Sequence, residues 1–172
     1  CQRDSTAARP GQGQGLMNAR PLRVLMVCLG NICRSPTAEA VLREHLRGQG
    51  LHGQVEVDSA GTGDWHVGSA PDARSQRHAR RRGYDLSGLR ARQVVEADFH
   101  RFDMVLAMDE DNLADLERLR PPGATAEVRL FAVGAVPDPY QSGPDGFELV
   151  LDLVEQGCQA LIAELRVRLG TS

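Results

Sequence analysis

VLMVCLGNICRSPTAEAVLR, residues 24–43, joins an apolar run, a short polar loop and an amphipathic segment. The run from Val24 to Val27 is apolar and partly β-branched, which predicts a buried strand. Pro36 predicts the start of a helix because proline is favoured in the first turn, and apolar residues then recur on one helical face. The stretch therefore predicts a strand, a loop and a helix in direct succession.

The loop between that strand and that helix, Cys28 to Ser35, has the features of an anion site. A loop in this position directs successive backbone N–H groups toward one point, where the helix N-terminus adds positive partial charge. Gly30 and Asn31 adopt positive φ more readily than other residues, so both would allow the loop to curl. We therefore expect backbone donors of this loop to surround a bound anion.

Two side chains of the loop narrow the chemistry to phosphoryl transfer. Arg34 presents a planar guanidinium that matches two oxygens of a phosphate group. Cys28, in a Cys-x5-Arg-Ser spacing, lies in the same positive field, which favours its thiolate for in-line attack on phosphorus. Ser35 could donate its hydroxyl to that thiolate and ease its later departure. A purely structural Cys28 would not account for the loop, the Arg-Ser pair and the helix start together.

The length and composition of the chain suit a single domain. It has 172 residues, of which 41% are hydrophobic. The net charge of −3 gives no strong field for nucleic acid or an anionic membrane, and no apolar run approaches the roughly 18 residues of a membrane span. Four cysteines do not make a disulfide framework and no zinc-ligand spacing occurs, so we expect a cytoplasmic protein with no metal or other cofactor.

The first twenty residues differ in character from the rest. Residues 1–20 are polar and rich in Gly, Gln, Arg and Ala, which predicts a disordered extension before a domain at 21–172. They lack the apolar core of a signal peptide. Met17 is the expected natural start, which would make residues 1–16 an upstream addition.

Beyond the loop, predicted strands alternate with predicted helices. Further strands are predicted at 55–59, 103–108 and 127–133, and further helices at 73–82, 94–99, 109–120 and 147–169. This alternation predicts an α/β fold, a single three-layer domain with a four-stranded parallel sheet and helices on both faces. Sheets of this kind bind ligands at the carboxyl ends of their strands, where Cys28 is expected.

The helix predicted at 73–82 is rich in arginine and ends before Gly83. Its arginines are Arg74, Arg77, Arg80, Arg81 and Arg82. They could form a docking face for acidic substrates, but a solvated helix face is the simpler interpretation and the one we adopt.

Expulsion of a phenoxide requires a proton donor besides the nucleophile. A phenol has a pKa of about 10, and general acid catalysis contributes roughly 10²–10⁴-fold. The long loop predicted at 134–146 offers Asp138 and Asp145. Asp138 precedes Pro139, which stiffens the backbone, and Tyr140, which could stack on an aryl group. An ordinary turn explains these residues equally well.

Five motifs together make the sequence resemble the low-molecular-weight protein tyrosine phosphatases. They are Cys28-Leu-Gly-Asn-Ile-Cys-Arg-Ser-Pro36, Asp58-Ser-Ala-Gly-Thr-Gly-Asp-Trp65, Ala91-Arg-Gln93, Met108-Asp-Glu-Asp-Asn-Leu113 and Asp138-Pro-Tyr140. The resemblance extends over about residues 21–169 and implies the strand order 2-1-3-4.

The resemblance also implies a role for each candidate site residue. It makes Cys28, Arg34, Asp138 and Ser35 catalytic, with Asp138 as the general acid. It assigns substrate binding to Leu29, Gly30, Asn31, Ile32, Cys33, Trp65 and Tyr140, and support of the loop to Ser59 with Asn31. The implied substrate is a phosphotyrosine-containing protein, such as a bacterial tyrosine kinase, with inorganic phosphate as the product.

Cys33 lies close to Cys28 across the tight loop and admits two interpretations. A reversible disulfide between the two could protect the nucleophile from overoxidation. A small buried filler is equally compatible with the sequence. Cys158, in the last predicted helix, is expected in the core.

Three other functions share parts of this pattern. An arsenate reductase has this fold and loop but needs further cysteines to relay a disulfide, and only Cys158 remains outside the loop in the predicted domain. A protein-arginine phosphatase has a similar loop but carries Thr where Ile32 stands. A non-enzymatic phosphate-binding module would not require Cys28, Arg34 and Asp138 together. The sequence therefore favours a tyrosine phosphatase.

Overall fold

A computed structural model describes residues 20–132, 134–139 and 143–170 of the chain. Within these ranges lie four strands, β1 (Leu22–Cys28), β2 (Val55–Gly61), β3 (Met104–Ala107) and β4 (Glu127–Leu130). The helices of the same ranges are α1 (Arg34–Gly48), α2 (Ala73–Arg81), α3 (Asp98–Arg101), α4 (Glu110–Leu119) and α5 (Pro144–Leu169).

The four strands form one parallel sheet in the order β2-β1-β3-β4, which confirms the predicted fold class and strand order. β1 is an inner strand with β2 and β3 as its neighbours. The register pairs Cys28 with Gly61 at the end of β2, and Val27 with Ala107 at the end of β3. The loops that follow these three strands therefore meet at one edge of the sheet, around Cys28.

Helices cover both faces of the sheet, because successive side chains of a strand point to opposite faces. Val24 and Met26 pack in the core cluster that includes residues of α1 and α5. Leu25 and Val27 pack in a second cluster with residues of α3 and α4. All four side chains are fully buried. The continuous apolar run of β1 thus reflects burial on both faces, and the predicted three layers are confirmed.

The first helix begins earlier than predicted. α1 starts at Arg34, and Pro36 occupies its third position rather than its first. Proline is tolerated there because the N–H groups of the first turn have no partner within the helix. Arg34 and Ser35 are consequently held on the helix rather than on the loop.

The prediction of a helix at 94–99 is largely wrong, because the structure has only the single turn of α3, which begins at Asp98. The residues before it pair with the end of β2 instead. Val94 N donates to Gly61 O at 2.8 Å, and Gly61 N donates to Arg92 O at 2.8 Å. Hydrophobic periodicity did not reveal this pairing because its partner is distant in the sequence.

The last helix also starts earlier than predicted. α5 begins at Pro144 rather than Phe147, so Asp145 lies in its first turn and not in a loop. Proline and an acidic residue both suit a helix N-terminus. Although α5 has 26 residues, no helix of the described ranges is apolar enough over sufficient length to cross a membrane.

Two other predictions extend beyond the residues that the structure describes. β4 ends at Leu130, short of Val133, which lies outside them. The predicted extension 1–20 also lies outside them, apart from Arg20, whose guanidinium binds Asp103 at 2.8 Å.

Two of the five arginines in and just after α2, Arg74 and Arg82, form ion pairs. Arg82 binds Glu148 and Glu155 on α5 at 2.6 and 2.8 Å. Three others point into solvent, namely Arg77, Arg80 and Arg81. The exposed group matches a solvated helix face, while a docking role for it stays a prediction.

Close packing between α5 and the segment after β4 depends on Gly157. A Cβ atom at this position would lie 2.5 Å from the ring of Phe131, closer than real contacts. The Phe131 ring is buried in a core cluster, so its displacement would disturb other core contacts. A larger residue at position 157 would therefore force the helix or the ring out of place.

We expect Gly157→Ala to lower the free energy of unfolding by about 1–3 kcal/mol, because overpacking outweighs the gain of about 1 kcal/mol in helix propensity. Urea unfolding measures the change. The matched control is Gly48→Ala in α1, where no atom lies within 4 Å of the added Cβ. That variant should be as stable as the parent or more so. Equal stability of the position-157 variant and the parent would show that the Phe131 ring moves to accommodate the added methyl group.

Candidate active site

Cys28 is the last residue of β1, and its thiol lies at the base of the loop that follows. The backbone N–H groups of Asn31 and Ser35 point at its Sγ, at 3.3 and 3.5 Å. The Ser35 hydroxyl lies 3.0 Å from the same sulfur. Each of these groups stabilises negative charge on Sγ when it donates to the sulfur. The loop thus places hydrogen-bonding groups around the sulfur atom of Cys28.

Asn31 fixes the curl of the loop. Its φ is 58°, the one positive φ of a non-glycine residue in the described chain. Its side-chain Nδ2 donates to Ser35 Oγ at 2.8 Å and to Ser59 Oγ at 3.0 Å. Its Oδ1 accepts from Arg92 N at 3.0 Å. Because the side chain is buried, uncurling the loop would break all three hydrogen bonds without replacement by water.

Gly30 is required for a reason other than the predicted one. Positive φ occurs at several described glycines, but Gly30 is not among them. A Cβ at Gly30 would instead lie 2.9 Å from Cδ2 of His66. Gly61 has a similar role, since its Cβ would lie 2.6 Å from the Leu29 carbonyl oxygen. Both glycines allow the loops after β1 and β2 to touch.

Support for the loop continues into the core through Ser59. Ser59 Oγ donates to Glu39 Oε1 at 2.6 Å, and both residues are buried. Burial raises the pKa of Glu39, while the hydrogen bond from Ser59 and the nearby charge of Arg43 act against that rise. With its proton directed to Glu39, the Ser59 oxygen is free to accept from Asn31.

Arg34 is held by two partners from the segments that follow β3 and β4. Its Nη1 donates to Asp109 Oδ2 at 2.6 Å and to the Val136 carbonyl at 3.0 Å. Only 3% of its side chain is exposed. Asp109 also caps α4 by accepting from Asn112 N at 2.7 Å. The two carboxylate oxygens of Asp109 therefore fix both a helix start and the guanidinium.

No role was predicted for Asp109, although a signal was available. The residue directly follows the predicted third strand. In the order 2-1-3-4, the carboxyl end of that strand adjoins the carboxyl end of the strand that bears Cys28. An acid in that position lies within reach of Arg34.

Asp138 lies next to Arg34. Its Oδ2 lies 3.8 Å from Arg34 Nη2, and 48% of its side chain is exposed. Pro139 is buried and anchors the backbone beside it. Tyr140, the predicted aromatic contact to the substrate, lies outside the described residues.

A cavity of about 130 Å³ opens above the thiol. Its walls are Cys28, Leu29, Gly30, Ile32, Cys33, Arg34, Trp65, His66 and Asp138. Trp65 is 70% exposed and forms the rim. His66 was not predicted to line the site, although it follows Trp65 directly in the same glycine-rich loop. A larger cavity of about 920 Å³ lies along the edge strand β2 and contains neither the thiol nor Arg34.

Burial affects two other thiols of the described residues. Burial raises the pKa of Cys33 to about 12 and shifts the pKa of Cys158 in the same direction. Cys28, Cys33 and Cys158 are all free, so a disulfide between the first two stays a prediction. In residues 20–132, 134–139 and 143–170, no group of three His, Cys, Asp or Glu residues could hold a metal ion.

Comparisons with known proteins agree on one family. The model of the low molecular weight phosphotyrosine protein phosphatases matches residues 23–169. A low molecular weight protein-tyrosine-phosphatase of Streptomyces coelicolor is 46% identical over 154 residues, which cover 84% of this chain and 93% of that protein. This chain belongs to the low-molecular-weight phosphotyrosine protein phosphatase family.

Solved structures of similar fold extend this result. A crystal structure of a protein tyrosine phosphatase from Entamoeba histolytica, with Hepes in the active site, aligns with a TM-score of 0.81 and 36% identity. The alignment covers 87% of this phosphatase and 98% of that chain. A crystal structure of a Drosophila arginine phosphatase aligns with a TM-score of 0.80 and 31% identity, over 84% of this chain and 98% of the other. The matched fold is therefore shared by phosphatases with different phosphorylated substrates.

We expect Asp109→Asn to weaken phosphate binding by this phosphatase, because a neutral amide cannot make the charge-assisted bond that orients Arg34. The inhibition constant for inorganic phosphate should rise roughly 10- to 100-fold, the equivalent of about 1.5–3 kcal/mol. Stability should change little, since asparagine is also a good N-cap residue.

The matched control for this prediction is Asp111→Asn, on an exposed position of the same helix. It should leave phosphate inhibition unchanged. If Asp109→Asn also leaves it unchanged, the Val136 carbonyl is sufficient to position Arg34.

Proposed function

We propose that this phosphatase hydrolyses phosphotyrosine in proteins and releases inorganic phosphate through a phosphocysteine intermediate. The observation that carries the proposal is the buried sulfur of Cys28, with three hydrogen-bond donors aimed at it and Arg34 beside it. Donors that are fixed before the reaction stabilise charge that develops at that point. The catalytic domain in this proposal is residues 21–172, preceded by the extension 1–20.

In the first step, the phosphate dianion binds between the loop N–H groups and the guanidinium of Arg34. The Cys28 thiolate forms a bond to phosphorus as the bond from phosphorus to the tyrosine oxygen breaks. Asp138, protonated, gives its proton to the leaving oxygen. Its half-exposed position in the wall of the cavity that holds the thiol suits this transfer, because a leaving group inside the cavity lies next to a proton donor.

In the second step, water takes the place of the released tyrosine. Asp138, now a carboxylate, accepts a proton from the water as its oxygen attacks phosphorus. The bond from sulfur to phosphorus breaks, and the Ser35 hydroxyl donates to the departing thiolate at the distance already present, 3.0 Å. Inorganic phosphate then leaves the loop. The cycle restores every protein group to its initial state.

The walls of the cavity support an aryl phosphate as the substrate. Leu29 and Ile32 line it along the loop, and the indole of Trp65 stands at its rim. An aromatic ring between these side chains would bury apolar surface that a short serine or threonine side chain does not have. The aryl ring therefore adds binding energy at this site.

Phosphoarginine is the second candidate substrate, because the fold matches that of the Drosophila arginine phosphatase. The apolar side chain of Ile32 in the cavity wall gives a guanidinium no hydrogen-bond partner. Phosphotyrosine is therefore the better match. An arsenate reductase is disfavoured as well. It would need accessible cysteines to relay a disulfide, and Cys158 is fully buried in the core.

The partner in this proposal is a phosphotyrosine-containing protein, for which a bacterial tyrosine kinase is one candidate. The proposed location is the cytoplasm. Free thiols at Cys28, Cys33 and Cys158 support it, because a reducing compartment keeps a nucleophilic cysteine active.

We expect Cys28→Ser to abolish turnover while phosphate binding remains measurable. A hydroxyl is a far weaker nucleophile than a thiolate, whereas the backbone donors of the loop stay in place. Steady-state assays with phosphotyrosine, phosphoserine and phosphoarginine peptides measure the first effect, and calorimetric titration with phosphate the second. The parent should prefer phosphotyrosine. Substantial turnover by the variant would disprove the assignment of the nucleophile.

We expect the loss caused by Asp138→Asn to depend on the leaving group. Asparagine keeps the shape of the side chain but cannot donate the required proton. With phenyl phosphate, whose leaving oxygen is strongly basic, kcat should fall by roughly 10²–10⁴-fold. With an aryl phosphate that bears strongly electron-withdrawing groups, the loss should be much smaller.

The matched control for the acid is Asp145→Asn, at an exposed position in the first turn of α5. It should alter neither rate. Equal losses with both substrates in Asp138→Asn, or a leaving-group dependence in the control variant, would mean that another group is the acid.

A further inference from the structure

A second cavity, of about 210 Å³, adjoins the catalytic one. Leu29 and Trp65 line both cavities and so form a shared wall. The rest of the second cavity is lined by Thr62, Gly63, Asp115, Arg118 and Leu119. The loops after β1 and β2 thus meet the end of α4 at this point. The mechanism above makes no use of this cavity.

Three large apolar side chains in the walls of the second cavity are exposed to solvent. Leu29 is 40% exposed, Trp65 70% and Leu119 41%. Leu119, the last residue of α4, belongs to neither core cluster of the described chain. Large apolar side chains gathered on a surface mark a binding site, because their exposure to water is unfavourable.

The charges at the cavity argue for an uncharged occupant. Asp115 and Arg118 form an ion pair within one turn of α4. The two charges are opposite and adjacent, so together they give the rim no net charge. The cavity therefore selects by apolar surface rather than by charge.

Two contacts join the parts of the shared wall. The Trp65 ring lies directly on Gly63, where a Cβ would be only 1.8 Å from the ring. Gly63 N in turn donates to the Leu29 carbonyl at 2.9 Å. A wall that is already in place costs little conformational entropy on binding.

We propose that this second cavity binds a large aliphatic side chain of the substrate protein, within two residues of the phosphotyrosine. The inference rests on the proposed function, since the phosphotyrosine ring occupies the adjoining cavity. An extended chain advances about 3.3 Å per residue and turns alternate side chains to the same face. A substrate chain that crosses the edge of Trp65 therefore places a residue one or two positions from the phosphotyrosine at the second cavity. Leucine, isoleucine or methionine matches its apolar walls.

Phosphotyrosine peptides with glycine and serine at all other positions test this inference. Leucine is placed singly at each of the two positions before and after the phosphotyrosine, and aspartate is placed likewise as a probe of charge. For the parent, leucine at one position should raise kcat/KM roughly 5- to 20-fold through burial of its side chain. Aspartate at the same position should give no such rise.

Leu119→Ser should remove the leucine preference and leave the rates with the leucine-free peptide and with phenyl phosphate unchanged. The matched control is Leu149→Ser on α5, a leucine that is 46% exposed and lines neither cavity. It should retain the preference. The inference is overturned if leucine has no effect at any position, if aspartate is preferred, or if Leu119→Ser keeps the preference.

Two further measurements separate this inference from the proposed function and from self-association. Binding of the same peptides to the Cys28→Ser protein should show the same leucine preference without any turnover. If the parent binds with this preference but does not hydrolyse phosphotyrosine, the proposed function fails and the second cavity stands. If sedimentation shows a dimer that Leu119→Ser dissociates, a second copy covers the cavity and the inference is wrong.

Discussion

The left-handed backbone of Asn31 is the constraint on which the site depends. This conformation is unfavourable for most residues with a side chain, and asparagine adopts it more readily than others because its side chain can form local hydrogen bonds. Here the buried asparagine side chain bonds Ser35, Ser59 and the backbone of Arg92. The turn at Asn31 aims its own N–H at the sulfur of Cys28. The left-handed turn thus directs a backbone donor at the sulfur atom that the other loop donors also face.

A chain of buried polar groups extends this constraint into the core. From Asn31 it passes through the Ser59 hydroxyl to the carboxyl group of Glu39 on α1. Each donor in the chain has an acceptor, which matters because an unsatisfied polar group at this depth would cost about 1–3 kcal/mol. The same helix begins with Arg34. Loop, helix and second strand are therefore fixed relative to one another by hydrogen bonds as well as by apolar packing.

The site combines a rigid base with an open rim. Cys28, Arg34 and Ser35 are almost completely buried, which fixes the donors and keeps bulk water away from the sulfur. Asp138 and Trp65 are largely exposed by contrast. A proton donor that must also activate water needs access to solvent, and a rim that admits a protein substrate must present its contacts outward. Burial at the base and exposure at the rim serve different steps of the proposed reaction.

The sequence by itself determined the unit of strand, loop and helix from Val24 to Arg43, because the residues that specify it are neighbours in the chain. Apolar residues of β1, the asparagine of the loop and the proline of the first helical turn are all local signals. The alternation of strands and helices was also readable, and with the family resemblance it gave the sheet order. What a local pattern could not give was the exact start of α1 and α5, since several positions of a first turn tolerate proline.

Only the tertiary structure decided which distant residues complete the site. The carboxylate of Asp109 binds Arg34 and caps α4 at the same time, and the segment at Val94 pairs with Gly61 instead of forming a helix. The need for Gly30 arises from the imidazole of His66, and the second cavity from the approach of α4 to Trp65. The physical reason is common to all of these. Each depends on contacts between segments far apart in the chain, whose distances are set by packing of the whole domain and not by local propensity.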